Sequence, residues 1–157
     1  MADKARPITL PANLALYLLT PLVMNGIIFS LHWSPATSAP HPNPMLPPGW
    51  AVGAIWMLLY LAMGVARWLT RLISPPAARW IDALAILCLL YPLYTAGLSN
   101  DNSGLLGALL TAGFAAFVLT RLQRVSKLAA LLTSLVLLWL LYASTALAFG
   151  LQNGYHS

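Results

Sequence analysis

The sequence predicts an all-α fold, a bundle of five transmembrane helices forming one domain over residues 1–157. Three observations predict it. The chain is 60% hydrophobic and only 7% charged, and a soluble domain of this size needs far more charge to cover its surface. The apolar residues gather into five runs, at 9–31, 50–72, 81–98, 104–122 and 128–151. Each lies near the ~20 residues that span a hydrocarbon core, and backbone polar groups in lipid must be satisfied within the segment, so the runs are helices. Threading five spans alternately then puts Lys4, Arg6, Arg67, Arg71, Arg79, Arg121, Arg124 and Lys127, every basic side chain but histidine, on one side. That sorting places the N-terminus in the cytoplasm and the C-terminus outside.

The first run follows Lys4 and Arg6 and precedes Ala36-Thr37-Ser38-Ala39, a pattern shared with secretory signal peptides. The run is long for that role and Pro40 stands where a cleaved product would begin, so it is read as a retained span. Pro21 lies inside it and removes one backbone donor, which kinks a helix. The outer loop 32–49 then carries six prolines. They exclude regular helix and favour a stiff extended path, suited either to a lid or to a solvated connector.

The second run begins after Pro47-Pro48 and carries Gly53, Trp56, Tyr60, Gly64 and Arg67 on one face at three- and four-residue spacing. The third holds the lone Cys88, a small packing residue, a second internal proline at Pro92, and Asp82 at its inner end. A polar outer turn at 99–104 leaves Asn102 or Ser103 to cap the fourth helix. That helix repeats Ala108, Ala112 and Ala116 in register with Gly104, a small-residue stripe that lets helix backbones approach closely. Its partner is another helix of the chain or of a second subunit. The fifth run places Trp139 near its middle.

Of the six tryptophans, Trp33, Trp50, Trp68 and Trp80 sit at the span ends, as in an interfacial aromatic belt. Trp56 and Trp139 lie deeper, Trp56 about 9 Å below the outer end of its helix at 1.5 Å per residue. An indole N–H in hydrocarbon needs a partner, so both point into the bundle with Tyr60. There they either fill the core or stack on a flat ligand.

Other chemistries find no support in the residues. No basic patch stands away from the membrane edges, so the net charge of +5 is topological and nucleic acid is not a partner. Coupled transport usually leaves ionisable groups deep in the spans, and none is seen. His32, His41 and His156 share the outer side without metal-type spacing, so no metal site is expected; they remain able to modulate ligand entry by charging at low pH. Phosphate loops, catalytic triads and paired carboxylates are absent.

The stretch Gly53-x-x-Trp56-x-x-x-Tyr60-x-Ala62-Met63-Gly64, preceded by Pro47-Pro48 and Trp50, resembles the second helix of the TspO/MBR family, the tryptophan-rich sensory and translocator proteins. Residues 125–130 and 139–145 resemble its fifth helix. Five helices and a proline-bearing first loop extend the likeness over nearly the whole chain. The resemblance implies a commonly dimeric bundle that binds porphyrins and other flat hydrophobic ligands below the first loop, with Trp56 and Trp139 lining the pocket. The family's light- and oxygen-dependent breakdown of porphyrin would give these two indoles a photochemical role; no other catalytic residue and no resident cofactor is expected, a porphyrin or haem-type molecule being the ligand. This chain departs from the family pattern at Met45-Leu46, where a Trp is usual, in the third helix, which has no Trp or Asn around Tyr91 and Tyr94, and at Ser134-Leu135-Val136 and Leu147-Ala148 of the fifth. A more aliphatic pocket follows.

The expected ligand-binding set is therefore Met45, Leu46, Pro47, Pro48 and Trp50 at the mouth, Gly53, Trp56, Tyr60 and Gly64 along the second helix, and Trp139 and Ala143 on the fifth. Its expected setting is a bacterial inner membrane, with the lipid bilayer, a tetrapyrrole-like molecule and a second copy of the chain as partners. The competing expectation is an accessory or assembly subunit of a larger membrane complex, docking through the small-residue stripe and aromatic faces.

Overall fold

The computed structural model describes residues 9–31, 43–95 and 101–154. Expectations resting on Trp33, on the three histidines and on the loop prolines Pro35, Pro40 and Pro42 lie outside them. Five helices follow one another: α1 (Leu10–Ser30), α2 (Gly49–Thr70), α3 (Pro75–Thr95), α4 (Asp101–Gln123) and α5 (Lys127–Asn153). The chain is all-α among its described residues. Pro21 and Pro92 lie inside α1 and α3.

Four of the five, α1, α2, α4 and α5, are long and apolar enough to cross a membrane. For α3 the expectation is met in part. It begins at Pro75 rather than at 81, because a proline in the first turn has no N–H to leave orphaned and its φ is already helical. The added turns bring Arg79 into the helix, beside Asp82, and dilute its apolar character. Its apolar run continues past Thr95, where the described residues stop. A smaller correction concerns α4, which starts at Asp101, so Asn102 and Ser103 occupy its first turn and neither is its cap. The start of α5 is capped by Ser126, whose Oγ accepts from the Ala129 N–H at 3.3 Å, and its end by Gly154 in the left-handed region at φ 68°.

Around the bundle the helices run α1, α2, α5, α4, α3, and α2 also packs on α3 across the middle. The closest pairing is α4 on α5, whereas α1 lies along α2 and only brushes α3. Met63, Ile81, Leu84, Val118, Leu122, Val136 and Leu140 are fully buried at the centre. Gly104, Ala108 and Ala112 are buried within the chain as well and Ala116 is half-buried, so most of the small-residue stripe of α4 packs against its own neighbours. Outside, Leu19, Leu22, Val23, Leu106, Leu110, Leu131 and Leu138 are among many exposed large apolar side chains. An apolar surface this extensive belongs against hydrocarbon rather than water. The protein is an integral membrane protein.

Candidate functional site: an aromatic line and a polar tie between three helices

The marked face of α2 splits by residue type. Gly53 and Gly64 serve α1. A Cβ at Gly64 would meet Tyr17 Cβ and Cγ at 3.1 Å, and one at Gly53 would meet Asn25 Nδ2 at 3.5 Å. The close approach also brings the Asn13 amide within 2.7 Å of the Gly64 carbonyl, to which it donates. These glycines admit a close approach by α1.

The aromatic residues of that face turn towards α3. Tyr60 is 3% exposed and its hydroxyl donates to the Ala85 carbonyl at 2.7 Å. Trp56 is half-buried, with its ring centred 6.2 Å from Tyr60 and 6.4 Å from Tyr91. Tyr17 of α1 continues the series 6.4 Å from Tyr60. A line of four rings, Tyr91, Trp56, Tyr60 and Tyr17, thus runs down the seam of α1, α2 and α3. Such tilted pairs exploit the ring quadrupole as well as burial, at about 0.5–1.5 kcal/mol each.

At its lower end the line meets charge. The Tyr17 hydroxyl donates to Asp82 Oδ1 at 2.7 Å, and Arg67 Nε donates to the same oxygen at 2.6 Å. A terminal guanidinium nitrogen of Arg67 donates to Asn13 Oδ1 at 2.6 Å. Asn13 is fully buried, so its amide is satisfied on both sides, as an interior polar group must be. Beside this tie a cleft of about 290 Å³ opens between α1 and α3, walled by Leu16, Thr20, Ala85, Ile86 and Leu89 and floored by Tyr17, Tyr60, Arg67 and Asp82.

Residues of the expected mouth lie across the bundle, on α5. Buried Asn43 donates to the Ala146 carbonyl at 2.8 Å and accepts from the Met45 N–H at 3.0 Å. The Tyr142 hydroxyl donates to the Met45 carbonyl. From there Leu46, Pro47 and Pro48 lead into Gly49, the first residue of α2. Residues 43–48 therefore form a strap from α5 to the head of α2. Trp139 stacks on Tyr142 with centroids 5.5 Å apart and planes 29° apart, and Ala143 beside them is half-buried. The two indoles of the expected pocket make no ring contact with each other; Trp56 belongs to the α2–α3 seam and Trp139 to α5 beneath the strap. Neither indole N–H has a hydrogen-bond partner among the described residues. Trp50 is 74% exposed and lies on the outside of the bundle, with the belt rather than with the mouth.

Sequence reasoning missed Asn13, Tyr17, Asn43 and Tyr142 as site residues and treated Asp82 as a helix-end charge. One signal for the first two was present. Asn13 and Tyr17 stand four apart on an apolar helix, so both polar groups share a face and need partners across it.

The family model for TspO/MBR matches residues 13–152. The chain belongs to the TspO/MBR family. No curated protein matches it. The match begins at Asn13 and runs through α5 to Gln152, so the tie, the aromatic line and the strap all fall inside the TspO/MBR region. Membership supports, in general terms, a translocator-type membrane role in binding sterols or porphyrins.

Proposed function

We propose that this TspO/MBR protein binds a tetrapyrrole or a similarly flat, apolar molecule in the outer half of the bundle, between Trp56 on α2 and Trp139 on α5, beneath the strap formed by Met45, Leu46, Pro47 and Pro48. The observation that carries the reading is the pair of half-buried indoles, each backed by a tyrosine and each with an unspent N–H donor. A flat ligand supplies what both rings lack, an apolar face to stack on and an acceptor at the rim. In this reading one ligand reaches both walls across α2, which packs on both α3 and α5.

In this reading α3 completes a five-span bundle in a bacterial inner membrane, with the N-terminus cytoplasmic, and two copies associate through lipid-facing surface. If the bound porphyrin is broken down, the chemistry these walls offer is its photo-oxidation with molecular oxygen as the electron acceptor, an indole of Trp56 or Trp139 relaying the electron. The burial of Ala108 and Ala112 within the chain favours this reading over that of an accessory subunit, which needs its small-residue stripe on the surface. Titrating purified protein with protoporphyrin, followed by Trp fluorescence and Soret absorbance, tests it. Saturable binding is expected; a linear, non-saturating response from folded protein overturns it.

A further inference from the structure

The cleft between α1 and α3 is a different place, on the other side of the aromatic line and lower in the bundle. Its walls, Leu16, Ala85, Ile86 and Leu89, are apolar, and Leu16 and Ile86 are 54% and 59% exposed on the lipid-facing surface. The cleft is therefore entered from the bilayer. Its floor is polar and sits close to one membrane face. Arg67 lies three residues, about 5 Å, from the end of α2 at Thr70, and Asp82 lies seven residues, about 10 Å, from the start of α3. From Asp82 the walls climb through Ile86 and Leu89 towards the membrane middle. This is the profile of one lipid-like molecule standing in its leaflet, head low and chain high.

The floor also selects the head. Arg67 and Asp82 cancel each other at 2.6 Å, so the floor carries no net charge and a charged head would bring an uncompensated charge to it. What the floor retains is uncharged hydrogen-bonding capacity. Asp82 Oδ1 takes both bonds, and Oδ2 accepts none among the described residues. Arg67 has five N–H donors and two are committed within the protein. An acceptor and a donor side by side match a hydroxyl, which gives one bond and takes another. The volume of about 290 Å³ equals roughly ten water-sized groups at ~30 Å³ each. That holds a small polyol head and the first carbons of an acyl chain, the rest lying between Leu16 and Leu89.

We propose that the α1–α3 cleft is a lateral binding site for a single-chain, hydroxyl-headed membrane amphiphile of the monoacylglycerol type, its head held between Arg67 and Asp82. The site is independent of the porphyrin reading and is tested without porphyrin. A monoacylglycerol bearing a diazirine on its acyl chain is photo-crosslinked to the full-length protein in nanodiscs, and labelled residues are mapped by mass spectrometry. Saturable labelling of Leu16, Thr20, Ile86 and Leu89 is expected. Unlabelled monoacylglycerol should compete. An ionised fatty acid, whose carboxylate has no proton to give Asp82, should compete about tenfold less well, the ~1.4 kcal/mol that a lost charge-assisted bond represents; a sterol has the hydroxyl but carries rigid rings where the walls take a flexible chain, and should also compete less well. Ile86→Trp, which fills the mouth from an exposed position and leaves the ion pair alone, should abolish the saturable component. Asp82→Asn should weaken competition by the monoacylglycerol about tenfold in protein that retains its thermal transition. Equal competition by the fatty acid, preferential competition by the sterol, or labelling spread evenly over the lipid-facing side of α1 and unchanged by Ile86→Trp would each overturn the proposal.

Discussion

Arg67 holds Asp82 of α3 at 2.6 Å with one nitrogen and Asn13 of α1 at 2.6 Å with another. One side chain of α2 thereby ties together two helices that otherwise barely touch. In a bilayer the hydrophobic effect does not hold helices to one another, so packing and hydrogen bonds of this kind carry the association. The side chains of the ion pair are 18% and 36% exposed, between the exposed and buried limits.

Arg67→Leu should accordingly destabilise the bundle by about 1–3 kcal/mol, between the ranges for surface and buried pairs, because it strands both Asp82 and Asn13. Asp82→Asn keeps an acceptor for Tyr17 and should cost less. Reversible unfolding in mixed micelles, followed by helicity, measures both. Equal stability of Arg67→Leu and the parent chain would show that α1 is held by packing alone.

Gly53 and Gly64 of α2 should respond differently to the same change. An alanine methyl at 64 enters a 3.1 Å contact with Tyr17 Cβ, the root of a side chain whose hydroxyl is fixed to Asp82. Gly64→Ala should cost about 1–3 kcal/mol through overpacking. At 53 the methyl meets the end of Asn25 at 3.5 Å, and Gly53→Ala should change stability by no more than about 0.5 kcal/mol. Thermal shifts of the two variants in one detergent decide the point; a larger loss at 53 than at 64 would contradict the assigned α1–α2 contact.

These two glycines also show what was legible in the chain. Hydropathy, charge sorting and the Pro-Pro-Gly-Trp helix are written locally, so the spans and the α2 face can be read without a fold. The neighbour that a face receives is not local. Gly64 reads as room for close approach, and the residue that approaches it is Tyr17, 47 positions earlier. Asn13 reads as a stray polar residue until α2 presents the Gly64 carbonyl and Arg67. Asp82 reads as a helix-end charge until α3 is seen to begin at Pro75, which moves it inward by nearly two turns. Asn43 lies in a proline-rich loop whose docking to Ala146 spans 103 positions, and no period or motif announces such a pairing.

The strap should act on ligand exchange more than on folding. Tyr142→Phe removes the donor to the Met45 carbonyl, and Asn43→Ala removes the bond to Ala146. An intramolecular hydrogen bond is worth about 0.5–1.5 kcal/mol net, so each variant should release porphyrin several times faster. The combined variant should be faster still, with the fold retained by circular dichroism. Stopped-flow dissociation into excess apomyoglobin provides the readout. Unchanged rates in the double variant would mean that residues 43–48 do not close the site.

The most direct test of the binding site compares two tryptophans on one helix. Trp56 stands in the aromatic line and Trp50, six residues earlier, is 74% exposed to the surroundings. Protoporphyrin affinity is measured by Soret titration for the parent chain, Trp56→Leu and Trp50→Leu under identical conditions. A pocket between α2 and α5 predicts saturable binding that falls about tenfold for Trp56→Leu, the loss of ~1.4 kcal/mol of ring stacking, and stays unchanged for Trp50→Leu. Equal affinities for all three proteins, or a larger loss at Trp50, would contradict it.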